Sequence, residues 1–201
     1  MKRMVVIAGP YGVGKTKIMR GPIGRQLIEG TFVDPQEVFD GLKEFYAQEE
    51  FHGESVPDYE ARTREKALSA RFRLIRKHRS LTGLCSLGRI EDIDVLDAAR
   101  KNNYQISFHY YGVGNWTLCR DRLRQFPGHW LSQITDEQIF GDYHRSLAFL
   151  PSAIPFVDEG WIYDVSGRQK VSTLIHIKKG RISKAASKLP EWIKEPMSRC
   201  L

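Results

Sequence analysis

Three cysteines in 201 residues, Cys85, Cys119 and Cys200, are too few and too scattered to build a disulfide framework. Their number is odd and no C-x-x-C spacing joins them, so free thiols in a reducing compartment are expected. No apolar run approaches the roughly 18 residues that a membrane-spanning helix needs. Met1-Lys2-Arg3 leads into a short apolar segment, without the long hydrophobic region or small-residue cleavage site of a secretory signal, so a cytoplasmic location is expected. The six histidines (His52, His78, His109, His129, His144 and His176) show no ligand spacing such as H-x-x-x-H, and no metal site other than one for Mg²⁺ is expected. Internal repeats, low-complexity linkers and an Arg/Lys-rich tail are all missing.

The length supports one sizeable core, with room for a small mobile appendage. The formal charge is +7, from 31 basic and 24 acidic residues. Such a surplus suits a polyanionic partner but does not choose between ATP, a nucleotide sugar, nucleic acid and an acidic protein.

Met4-Val5-Val6-Ile7-Ala8 is a continuous β-branched apolar run, the pattern of a strand buried on both faces of a parallel sheet. Lys15 to Arg20 can begin a helix. Asp34-Pro35 is a helix start, with the carboxylate as N-cap and proline in the first turn. A long amphipathic helix is predicted from Pro57 to Arg79, with Leu68, Phe72 and Ile75 as its core face and its arginines mostly elsewhere. Strands are predicted at Leu81–Leu87, Tyr104–Tyr111, Trp161–Tyr163 and Val171–Ile177. Helices are predicted at Asp92–Lys101, Asn115–Phe126 and Thr135–Leu150, the last opened by a Thr135…Gln138 capping box. Strands alternating with helices imply an α/β fold with a mostly parallel sheet covered on both faces. Ligands in such sheets sit at the carboxyl ends of the strands.

Gly9-Pro10-Tyr11-Gly12-Val13-Gly14-Lys15-Thr16 fits G-x-x-x-x-G-K-[ST] without a mismatch. Glycines let the backbone curl so that successive N–H groups point inward around phosphates. Lys15 is placed to reach the β- and γ-phosphates, and the Thr16 hydroxyl to ligate Mg²⁺. The motif lies between a buried strand and a helix, where a phosphate-binding loop must lie. Arg120 and Arg124 share a helix face and are candidates to clamp the phosphates, whereas Arg122 points away. His129, in the loop that follows, is a candidate phosphate contact. The basic helix Arg62–Arg79 lacks interleaved aromatics and reads as a solvated face rather than a nucleic-acid stripe.

Several segments resemble the zeta-toxin family of P-loop kinases. The opening strand and loop do so, as does Phe32-Val33-Asp34-Pro35-Gln36-Glu37-Val38, similar to F-[VI]-N-x-D-E-[IV]. Gly128-His129 with Ile134 to Leu147 resembles that family's lid. Trp161-Ile162-Tyr163-Asp164-Val165-Ser166-Gly167 resembles its Y-D-N-S-G strand, and Leu189-Pro190-Glu191-Trp192-Ile193 its L-P-x-W-[VI] ending. The resemblance implies a P-loop kinase domain over residues 1–183, with a small helical lid at about 115–146 and a tail at 184–201. It also implies a kinase that moves the γ-phosphate of ATP (or GTP), with Mg²⁺, to a hydroxyl of a small molecule. A UDP-amino sugar is the acceptor it suggests, and a small antitoxin protein the partner.

The departures lie in the implied site. The family's catalytic aspartate aligns with Gln36, whose amide can orient an acceptor hydroxyl but cannot take its proton. Asp34 and Glu37 are the neighbouring carboxylates available to substitute. The acceptor-binding Glu-Thr pair aligns with Leu84-Cys85, and no carboxylate occurs from Lys66 to Ile90. The lid's arginine run falls on Phe140-Gly141-Asp142, which leaves Arg145 as its surviving arginine. A nucleotide-binding module without efficient transfer and a kinase acting on nucleic acid therefore stand as alternatives.

Overall fold

The computed structural model describes residues 1–48, 58–167, 171–198 and 200. His52 and the expected helix start at Pro57 lie outside them. One seven-stranded sheet has the order β2-β3-β1-β4-β5-β6-β7, with β1 Arg3–Ala8, β2 Thr31–Val33, β3 Leu81–Leu84, β4 Gln105–Gly112, β5 Glu159–Asp164, β6 Ser172–Lys178 and β7 Arg181–Ala185. Strands β1 to β5 run parallel, and the β6–β7 hairpin adds an antiparallel edge. The β-branched run of β1 is buried from Met4 to Ala8, as a central strand requires.

The helices are α1 Lys15–Arg20, α2 Pro22–Gln26, α3 Pro35–Gln48, α4 Tyr59–Arg76, α5 Ile90–Lys101, α6 Trp116–Arg124, α7 Asp136–Ala153 and α8 Glu191–Met197. Local chemistry accounts for their starts. Asp58 accepts the Ala61 N–H, Asn115 accepts the Thr117 N–H, and Thr135 and Gln138 form the reciprocal capping box. The expected boundary at 183 falls inside β7. The segment beyond it carries α8, whose buried Trp192 lies over Gly112, where a Cβ would sit 2.2 Å from the indole.

Strand β1 lies between β3 and β4, so the connections leaving the carboxyl ends of β1 and β4 diverge to opposite halves of the sheet. That crevice is where an open α/β sheet binds its ligand. The Gly9–Thr16 loop fills it.

Candidate functional site: a glycine-rich loop under a wide cavity

The loop is seated by two close approaches that only glycine allows. Gly9 has φ +140°, and a Cβ there would lie 2.1 Å from the Tyr111 carbonyl oxygen of β4. Gly12 has φ +77°, and its Cβ would lie 2.2 Å from the Cys119 carbonyl oxygen of α6. Lys15 opens α1 and folds back along the loop, donating from Nζ to the carbonyls of Gly9 (2.5 Å) and Pro10 (3.0 Å). Burial lowers its pKa, while the carboxylates of Asp142 and Asp92 act the other way. Thr16, the next residue, lines the same cavity.

Behind the loop sits a carboxylate that the motif did not announce. Asp142 of α7 is buried and accepts the Tyr11 N–H at 2.7 Å. Asp142 Oδ1 and Ser86 Oγ both crowd Gly88, so the Asp142 side chain lies between the glycine loop and the segment after β3. Burial pushes its pKa up to about 6, against the opposing hydrogen bond from Tyr11 and the charge of Lys15. The segment after β3 is itself strained: Leu87 is fully buried at φ +60°, a conformation rare for a bulky residue. Ser146 and Arg145 hold that segment through the carbonyls of Ser86 and Gly88.

Tyr11 joins the loop to two further elements. Its ring meets Trp130 edge-on at 5.7 Å, and the charge of Arg64 of α4 acts on its hydroxyl. Burial raises its pKa to about 12, so it remains a neutral phenol.

Gln36, at the start of α3, uses both ends of its amide. Its Oε1 accepts the Trp130 N–H at 3.0 Å, and its Nε2 donates to Asp40 (2.9 Å) and the Gly128 carbonyl (3.4 Å). It latches the 128–130 segment onto α3. Asp34 is buried and caps α3 by accepting the Gln36 N–H at 3.0 Å, and burial raises its pKa. His129 accepts the Leu131 N–H at Nδ1, which leaves the proton of the neutral ring on Nε2. Burial, with Lys15 and Arg20 nearby, holds its pKa down at about 4.

On the side away from α6, Arg71 of α4 donates to Asp92 of α5 at 3.2 Å, and both side chains are close to buried. The arginine stem crosses β3 at Gly83, where a Cβ would come 3.1 Å from its Cδ. All these walls enclose one cavity of about 2170 Å³, reaching from the loop and Arg122 across Asp34, Gln36 and His129 to Arg71 and Asp92. A site for one small ligand is typically about 300–1,000 Å³, so there is room for two substrates. Among the described residues no group of three or more His, Cys, Asp or Glu side chains is placed to hold a metal ion.

Comparison with known proteins gives no match to any protein-family model and none to the curated proteins. Solved structures do match. A crystal structure of AvrRxo1-ORF1 with AvrRxo1-ORF2 and sulphate ions superposes at a TM-score of 0.71 and 14% identity, covering 98% of this chain and 64% of that one. A crystal structure of the same pair with ATP gives 0.67 at 13% identity, over 100% of this chain and 63% of that one. The PezAT chromosomal toxin–antitoxin system of Streptococcus pneumoniae gives 0.58 at 13% identity, over 99% and 83%. The chain shares the α/β fold of these structures. It spans slightly under two thirds of the chains it matches in the AvrRxo1 structures.

Within that fold the expected residues divide. Gly9 to Thr16 form the loop, Lys15 and Thr16 line the cavity, and Asp34 and Gln36 stand on its wall. Glu37 is exposed and faces a separate shallow hollow between β2 and α4, away from the loop. Arg145 is exposed, bonded to the Gly88 carbonyl and outside the cavity walls. The arginines of α6 are exchanged relative to expectation. Arg120 pairs with Asp121 and Asp136, and Arg124 with Asp136 and the Ser132 and Ile134 carbonyls, so both brace the start of α7. Arg122 instead bridges the Val13 carbonyl (3.1 Å) and the Val165 carbonyl (2.7 Å) and lines the cavity. Spacing gives the relative faces of a helix but not which face meets the loop.

Two missed residues did carry a signal. Asp142 shares the buried stripe of α7 with Ile139, Tyr143 and Ser146, and Arg71 shares that of α4 with Thr63, Ala67 and Ile75. A charge on a core-facing stripe is costly unless something in the fold requires it.

Proposed function

We propose that this protein is an ATP-dependent phosphotransferase that moves the γ-phosphate, with Mg²⁺, to a hydroxyl of a small molecule. The observation that carries the reading is the Gly9–Thr16 loop, with Lys15 at its centre, opening into a cavity large enough for nucleotide and acceptor together. Lys15 now bonds to two loop carbonyls. On nucleotide binding it exchanges them for phosphate oxygens, and the loop N–H groups and Thr16 complete the cradle. The acceptor oxygen then attacks the γ-phosphorus, the bond to the β-phosphate oxygen breaks, and positioning and charge neutralisation supply most of the acceleration. Arg122 is the arginine we assign to the nucleotide end of the cavity.

A UDP-amino sugar is the acceptor that the resemblance suggests, and the likeness to the PezAT toxin–antitoxin system makes a small protein antitoxin the partner to seek. We assign the protein to the cytoplasm, where ATP and Mg²⁺ are at hand and the free thiols of Cys85, Cys119 and Cys200 stay reduced. No helix among the described residues is long and apolar enough to cross a membrane.

One observation favours a second reading, a nucleotide-binding module without efficient transfer. Gln36 stands where the resemblance places a catalytic aspartate, and its amide is spent on latching the 128–130 segment. A kinase acting on nucleic acid has less support, because Arg71 is buried and Arg64 is paired with Glu60, which removes two charges from the basic helix. The deciding experiment incubates the protein with γ-labelled ATP, Mg²⁺ and UDP-sugars, nucleosides, hexoses or RNA ends. Label passing to an acceptor with wild type and not with Lys15→Ala supports the enzyme. ATP binding without transfer to any acceptor supports the module.

A further inference from the structure

We propose that Asp92, held by Arg71, is the carboxylate that receives the acceptor hydroxyl's proton in this site, a role that Gln36 cannot fill. The inference rests on the phosphotransferase reading and names its missing base.

The cavity wall carries several carboxylates, and their engagements separate them. Asp34 is buried and committed to capping α3. Asp40 is held by Gln36 on the α3 side. Asp121 pairs with Arg120. Asp142 lies behind the loop, outside the cavity wall, bonded to the Tyr11 N–H. Asp92 lines the cavity, stands beside Cys85 and acts electrostatically on Lys15. Glu65 and Glu91 also line the wall, but Glu65 is exposed, and among the described residues neither is fixed by an ion pair as Asp92 is by Arg71.

The pair is also built for a ligand of limited kind. Arg71 donates to the Ala67 carbonyl from Nε and to Asp92 Oδ1 from Nη1. Among the described residues, Arg71 Nη2 and Asp92 Oδ2 have no partner. The ion pair thus keeps one donor and one acceptor and carries no net charge of its own. That combination suits a neutral hydroxyl compound rather than an anion or an amine. It stands next to Leu84-Cys85, where the side chains offer no carboxylate, so the charged group reaches this zone from α5 instead. In the transfer step the acceptor O–H proton passes to Asp92 as the oxygen bonds to the γ-phosphorus and ADP departs. Arg71 is the positioning residue that aims the carboxylate.

Three variants test this against a purely structural ion pair. Asp92→Asn keeps an oxygen for Arg71 but cannot take a proton. Asp92→Glu keeps the base and shifts it. Arg71→Met/Asp92→Met removes both charges together, so no unpaired charge is buried and the fold is retained. Each is measured for transfer from γ-labelled ATP to the best acceptor among UDP-sugars, nucleosides and hexoses, for MgATP affinity by calorimetry, and for melting temperature. The expected result is a fall in kcat of about 100-fold or more for Asp92→Asn and the double Met variant, the usual scale for a lost general base. MgATP affinity should stay within about threefold, and Asp92→Glu should recover part of the rate. Wild-type-like kcat in the double Met variant would overturn the assignment while leaving the kinase reading intact. Wild type that binds MgATP yet labels no acceptor would overturn both.

Discussion

The buried carboxylate behind the phosphate loop makes a prediction that can be worked through in numbers. Asp142 has its pKa raised from the ordinary 3.8 to about 6, chiefly by burial. The folded protein therefore holds a proton on this group between about pH 4 and pH 6, where the unfolded chain has lost it. Stability from this group is lost as pH rises through that window. A shift of about two units at about 1.4 kcal/mol each amounts to ~3 kcal/mol. His109 and His129 work in the opposite sense. Burial holds both near 4, so they favour the folded state as pH rises from about 4 to their ordinary 6.5. The informative quantity is accordingly the difference between wild type and Asp142→Asn, in which the histidines cancel. Asparagine mimics the protonated acid and keeps an oxygen for the Tyr11 N–H. Urea unfolding followed by tryptophan fluorescence at pH 4 to 7.5 should give similar stabilities at the acid end. Asp142→Asn should gain on wild type by up to ~3 kcal/mol above pH 6. The same variant removes the largest of the charges that raise the pKa of Lys15, so its MgATP affinity should weaken as pH is raised toward 9. A stability difference that stays flat across the window, or a variant clearly less stable at pH 7, would refute the reasoning.

Other perturbations follow from close contacts. Gly12→Ala adds a Cβ 2.2 Å from the Cys119 carbonyl oxygen at φ +77°, so calorimetry should show MgATP binding lost and melting should show a penalty of a few kcal/mol, roughly the scale of strain plus overpacking. Gln36→Leu leaves the Trp130 N–H and the Gly128 carbonyl without their partner. It should cost about 1–3 kcal/mol and speed proteolysis within residues 127–131, checked by limited digestion with and without MgATP. Arg122→Ala frees the Val13 and Val165 carbonyls, and should weaken MgATP binding more than Arg124→Ala does in parallel titrations.

The parts of the fold legible in the sequence are those where local pattern and global role coincide. The apolar run Met4–Ala8 could only be a central strand, and the glycine spacing after it could only be seated where β1, β4 and α6 converge. The Thr135–Gln138 box and the Asp34 cap are written in adjacent residues and appear as written. Strand β7 was not legible, because Arg181, Ser183 and Lys184 are exposed along an edge strand and leave no alternation to detect. The short helix α2 has only five residues and no periodicity to show. In the site, the loop was plain, whereas the carboxylates whose charge acts on Lys15 were not. Asp92 and Asp142 come to it from α5 and α7, well separated in the chain, and only packing brings them together. Arg122 illustrates the remaining gap, since spacing ranks faces without saying which face the loop will meet.

The central claim is that Gly9–Thr16 is a nucleoside triphosphate site worked by Lys15. Titration of MgATP into wild type and Lys15→Ala by calorimetry tests it most directly. The account predicts saturable one-to-one binding by wild type, weakened at least tenfold, about 1.4 kcal/mol, in a Lys15→Ala protein of unchanged melting temperature. Absence of MgATP binding by wild type, or equal binding by the two proteins, would contradict it.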